Sequence, residues 1–88
     1  MLVMMWNAEQ AKRLGAGIRA LRHERGLSQE ALAYRAGITK NQLQLIEAGR
    51  ASGKKGESGP SNPRMATLVG LAAVLGVGLG EFLTGLDI

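Results

Sequence analysis

Apolar residues return along most of this chain at intervals of three and four, the period of helices with one buried face. Leu14, Ile18 and Leu21 form the first stripe, on a segment that Asn7 can cap and that Gln10, three residues on, completes as a capping box. Gly26 stands where that helix should end in a left-handed residue. Ser28 is the expected N-cap of a short second helix reaching Ala36, whose apolar positions Ala31, Leu32, Ala33 and Ala36 are small except for one leucine. Gly37 stops it. Thr39 then caps a third helix with Leu43 and Ile46 turned inward, and Gly49 ends that one. A fourth helix is predicted over 63–75 with Leu68, Leu71, Ala72 and Leu75 on one side, and a fifth over 79–83. No stretch alternates with the period of two that a half-buried strand requires, and no segment repeats.

Between the third and fourth helices lies one evident loop, residues 50–63, RASGKKGESGPSNP. Its glycines, serines and two prolines leave no expectation of a persistent helix or strand. The length of 88 residues suits one domain, 1–88, and not two.

Charge sharpens this outline. The chain carries +4 overall, but all eleven Lys and Arg lie between Lys12 and Arg64, giving a front of +6 and a tail of −2 that bears only Glu81 and Asp87. Such a front favours a polyanionic partner, although an ordinary solvated surface has the same composition. With no cysteine, disulfides and thiolate metal sites are excluded, and a reducing cytoplasm is the expected compartment. Met1 to Trp6 is too short for the apolar core of a signal peptide, and the uncharged run Leu68–Gly80 is too short for a membrane span, so no membrane association is expected.

Catalytic chemistry finds little support. His23 is the only histidine and has no second ligand nearby in sequence, which suits a surface residue. Gly49 to Lys54 departs from a phosphate-binding loop in its spacing, lacks a following Ser or Thr, and has no strand before it. We therefore expect no enzyme, no cofactor and no metal.

The informative stretch is 28–47. Two short helices joined by a glycine-containing turn must cross steeply, and Ala33 and Gly37 are small where the backbones meet. Leu43 and Ile46 anchor the second of these helices. Its remaining face offers Lys40, Asn41, Gln42 and Gln44, side chains able to hydrogen-bond base edges. A plain helical hairpin inside a bundle is the alternative, but a merely solubilising face more often carries Glu and Lys.

From Leu14 to Phe82, about three-quarters of the chain, the sequence resembles the lambda-repressor/Cro (xenobiotic-response-element) helix-turn-helix family. The matching residues are Leu21-Arg22, Gly26 to Glu30, Leu32-Ala33, Ala36 to Ile38, Leu43, Ile46-Glu47, Gly49-Arg50, Asn62-Pro63 and Leu75 to Val77. The resemblance implies an all-α, five-helix orthogonal bundle with its helix-turn-helix unit at 28–48. It implies that Lys40, Asn41 and Gln44 read bases in the major groove of double-stranded DNA, with Gln42 and Leu45 bordering them. It further implies that Gln29 grips a phosphate, that Thr39 caps the reading helix and touches the backbone, and that Arg22 and Glu47 form an internal ion pair.

The chain departs from the family in the link after Gly49-Arg50, where about ten extra residues make a loop long for a small domain. That loop either lies along the phosphates, with Arg50, Lys54, Lys55 and Arg64 neutralising charge, or is a surface insertion without a role. One reading helix touches few base pairs, so a homodimer is expected, with Leu79, Phe82, Leu83, Leu86 and Ile88 of the tail as its candidate surface. Trp6 with Met1, Met4 and Met5 is expected to cover the edge of the core, with contact to a second subunit as the alternative. The reading that emerges is a sequence-specific transcriptional regulator. The rivals are an antitoxin that autoregulates and masks a toxin, and an adaptor that binds another protein on the same fold.

Overall fold

The computed structural model describes residues 6–51 and 59–88. Among them lie five helices: α1 (Ala8–Glu24), α2 (Gln29–Ala36), α3 (Lys40–Ala48), α4 (Met65–Leu75) and α5 (Leu79–Gly85). Met1, Met4 and Met5 fall outside the described residues.

Local chemistry fixes the helix starts. The Asn7 side chain accepts from the Gln10 backbone N–H at 2.9 Å while Gln10 Oε1 accepts from the Asn7 N–H at 3.0 Å. Ser28 Oγ accepts from the Ala31 N–H at 3.0 Å. Each bond satisfies an amide that a helix leaves orphaned at its first turn. α2 ends at Gly37, whose φ of 75° is cheap only for a residue without Cβ. The predicted fourth helix is two residues shorter at its start: Arg64 is its extended N-cap and Met65 its first helical residue. The fifth runs two residues further than predicted, to Gly85.

The core gathers Leu14, Ile18, Leu32, Leu43, Leu71 and Leu75, all with relative exposure below 2%. Burying each such side chain contributes roughly 1.5–3 kcal/mol against the entropy of ordering the chain. α1 packs mainly on α3, and α2 on α3 and α4. The α1–α3 crossing is close because of Gly15, where a Cβ would stand 2.3 Å from the Ile46 carbonyl oxygen. α4 and α5 meet at 91°, and no single helix among the described residues is long and apolar enough to cross a membrane.

Two features go beyond what the sequence signals. The base of the 50–63 loop is not wholly irregular: Arg50 and Pro60 form an isolated antiparallel bridge, and the Ala51 N–H donates to the Gly59 carbonyl at 2.9 Å. Just beyond it, the Ser61 N–H donates to the Gly49 carbonyl, and the Trp6 indole donates to the Ser61 carbonyl while its ring packs on the core. The long insertion is thus pinched where it leaves and rejoins the bundle. The tail is the second. Phe82, Leu83, Leu86 and Ile88 pack, half-buried, on the chain's own core; Leu86 lies over Gly17, and Arg13 Nη1 donates to the Asp87 carbonyl at 3.2 Å. Among the described residues, the large apolar side chains left exposed are Tyr34, Met65 and Val69.

Candidate nucleic-acid interface

Leu32 and Ala33 of α2 and Leu43 and Ile46 of α3 are buried together, so the helix pair is held by its inner faces. The turn between them follows from Gly37: with that residue left-handed, the Ile38 N–H reaches back to the Ala33 carbonyl at 3.0 Å and closes α2. Thr39 then opens α3 with a second capping box. Its hydroxyl accepts from the Gln42 N–H at 3.0 Å, and Gln42 Oε1 accepts from the Thr39 N–H at 2.8 Å.

What remains outward is the face the sequence singled out. Lys40, Asn41, Gln42 and Gln44 are exposed and Leu45 is half-buried, and the same face continues through exposed Ala48. Their tasks differ. Gln42 has its carbonyl turned back onto the helix start, a role its position three after Thr39 signals in sequence. Lys40 pairs with Glu30 at 3.2 Å in a solvated contact. Asn41 makes no side-chain hydrogen bond with any described residue, and its amide faces solvent.

Behind this face lies a buried charge cluster. Arg22 Nε donates to Glu47 Oε2 at 2.7 Å and Nη2 to Oε1 at 3.1 Å, while Nη1 donates to the Leu27 carbonyl at 2.9 Å. Burial of both partners makes the pair structural: removing one would strand the other charge out of water. Gln29 Nε2 adds a third bond to the carboxylate at 3.0 Å, and Gln29 Oε1 in turn accepts from Gln44 Nε2 at 3.4 Å. The Gln29 side chain, expected on a phosphate, is thus engaged inside the protein at both ends of its amide.

Clefts flank α3 on both sides. One, about 370 Å³, is lined by Arg19, Arg22, Gln29, Gln44, Glu47 and Ala48. The other, about 590 Å³, brings Arg50, Arg64, Asn62 and Thr67 beside Gln42 and Leu45. Arg50 and Arg64, fourteen residues apart in sequence, therefore line one cleft beside α3. Lys54 and Lys55 lie outside the described residues. Arg19 and Glu30 were not singled out by sequence. Their only signal was position, one turn before Arg22 and one residue after Gln29, and nothing in the one-dimensional pattern says that α1 and α2 bring them to α3.

Residues 13–83 match the family model described as a helix-turn-helix domain. The chain belongs to this helix-turn-helix family. Within it, the chain is 34% identical over 79 residues, 90% of each protein, to the uncharacterised HTH-type transcriptional regulator y4dJ of Sinorhizobium fredii. It is also similar to SinR, a master regulator for biofilm formation solved in complex with DNA, at 31% identity and a TM-score of 0.64 over 80% of this chain and 97% of that one. The restriction-modification controller protein C.AhdI of Aeromonas hydrophila shares 26% identity and a TM-score of 0.67, over 84% and 97% of the two chains. These are lambda-repressor-like proteins, and the five-helix arrangement of this helix-turn-helix chain is theirs.

Proposed function

We propose that this chain, as a single domain over 1–88, binds double-stranded DNA sequence-specifically and regulates transcription. The observation that carries the reading is the solvent-facing surface of α3: Lys40, Asn41 and Gln44 stand outward on a helix held from behind by Leu43 and Ile46. An α-helix fits the major groove, and carboxamide and ammonium groups match the acceptors and donors displayed there. The likeness to SinR, solved with DNA, supports the same use.

The flanking groups suit phosphates. Arg50 and Arg64 lie beside the first turn of α4, whose amides have no side-chain cap. Thr39 keeps its hydroxyl proton free to donate, because that oxygen acts only as acceptor in the cap. At Gln29 the resemblance assigns the phosphate grip to side chain and backbone together, and the backbone N–H at the start of α2 supplies it while the side chain is engaged with Glu47. Leu45 meets a thymine methyl, and Gln42 borders the reading set from its cap. Lys54 and Lys55, which follow Arg50 in sequence, are assigned to phosphates with it. Replacing both with alanine should flatten the dependence of log affinity on log salt by about one to two units.

One copy of so short a reading helix covers few base pairs, so a homodimer on a two-fold site supplies the specificity. The decisive experiment is a fluorescence titration of the chain against random duplex at two salt concentrations, followed by selection of bound sequences. Salt-dependent binding with an enriched two-fold motif is the expected result. Absence of binding at low salt would exclude the function and leave a protein-binding adaptor.

A further inference from the structure

The two arginines that line the cleft beside α3 are held by different means. Arg50 is fixed by the end of its own helix: the Gly49 N–H donates to the Ile46 carbonyl at 3.0 Å, and the Arg50 N–H to the Leu45 carbonyl at 2.9 Å. Arg64 lacks that support on its upstream side. Its carbonyl accepts from the Leu68 N–H at 3.1 Å as α4 begins, but it gives that helix no side-chain cap. Among the described residues no backbone hydrogen bond holds Asn62 or Pro63. The next fixed point is Ser61. That residue is 4% exposed; its N–H donates to the Gly49 carbonyl at 3.2 Å, and its carbonyl accepts from the Trp6 indole. A carbonyl buried so deeply costs free energy when unpaired, and the Ser61 hydroxyl already has no partner among the described residues. Trp6 is itself firmly placed, because its ring packs on the core and the next residue, Asn7, is the N-cap in the capping box of α1. Beyond Ser61 the chain has little slack. Pro63 fixes its own φ and restricts Asn62 to extended backbone.

We propose that Trp6 is a positioning residue for DNA binding: its indole N–H, acting through Ser61 and the stiff Asn62-Pro63 link, aims the Arg64 guanidinium at a backbone phosphate. The role rests on the phosphate contact proposed above for Arg64. Trp6 itself touches no nucleotide. The start of α1 thereby governs a contact made at the start of α4, and the long insertion between α3 and α4 does not loosen it. Arg50, anchored by α3, is independent of the indole.

The test is duplex binding by the full chain over a range of salt concentrations, with base preference and melting curves recorded alongside. Trp6→Phe keeps an aromatic ring and loses the donor. Trp6→benzothienylalanine keeps the whole bicyclic shape and loses only the donor, so a folding defect in the first variant does not touch the second. Either change should weaken selected and random duplex by the same factor and leave base preference as in the wild type. It should also flatten the dependence of log affinity on log salt by about one unit. Combined with Arg64→Ala, neither should flatten the slope further, because the contact is already gone. Combined with Arg50→Ala, each should still remove about one unit. A wild-type slope in the benzothienylalanine protein would overturn the role. So would an altered base preference, or a flattening that adds to that of Arg64→Ala. If the wild-type chain bound no duplex, the DNA-binding function itself would fall and this role with it. Binding that is indifferent to the Trp6 donor would remove the role alone.

Discussion

Among the described residues two ion pairs tie α3 to its neighbours, at opposite ends of the helix and at opposite depths. Arg22–Glu47 joins α1 to the last turn of α3 through two contacts, with side chains 9% and 4% exposed. Lys40–Glu30 joins α2 to the first turn of α3 through one contact of 3.2 Å, with side chains 49% and 75% exposed. In the first, charges removed from water depend on each other and on the Leu27 carbonyl. In the second, water and salt compete for both groups, so the contact is weak and exchangeable. Depth therefore separates an end of α3 that is fixed from an end that a ligand can engage. On the proposed DNA-reading function, the carboxylate of Glu30 at the exposed end stands where a polyanion would approach and competes with it for Lys40.

The comparison can be broken most forcefully from the inside. Glu47→Ala leaves the Arg22 guanidinium buried without its counter-charge and should destabilise the fold by about 3–5 kcal/mol, measured by chemical denaturation. A loss within experimental error would mean that the inner pair is no deeper in effect than the outer. Asn41→Ala tests the exposed face without touching either pair. It should reduce discrimination between selected and random duplex by about 1–3 kcal/mol while the melting temperature holds. Equal weakening on both duplexes would make Asn41 a phosphate contact instead of a reader. Thr39→Ala removes the hydroxyl half of the α3 capping box and should lower stability by about 1 kcal/mol. The smallest stability effect belongs to the outer pair: Glu30→Ala should shift unfolding by less than about 0.5 kcal/mol. The same change should tighten DNA binding, more at low salt than at high. Weaker binding would show that Glu30 positions Lys40 for its contact and does not compete with it.

Much of this architecture was legible because it is written in local signals. Asn7 with Gln10, Ser28, Thr39, Gly37 and Gly49 act on amides and dihedral angles within a few residues, so the order and bounds of α1 to α3 follow from neighbours in sequence. The start of α4 was misplaced by two residues because Pro63 permits a helix start without dictating one, and Arg64 supplies no side-chain cap. The fate of the tail was illegible for a different reason. A row of Leu79, Phe82, Leu83, Leu86 and Ile88 states only that apolar surface must be covered. Whether a partner or the chain's own α1 covers it depends on the space above Gly17.

The sequence alone determined the helices, the stops of α1 to α4, and which side of α3 would be polar, because each depends on interactions spanning a turn or on the 3.6-residue period. Only the tertiary structure decided how those faces are used. The contact of Gly15 with the backbone of Ile46 sets how close α1 lies to α3. That approach places Arg22 on Glu47 across 25 residues, and the carboxylate so fixed orients Gln29 and then Gln44. Hydrogen-bond direction is a property of groups that meet in space, and these four meet only when three helices have packed.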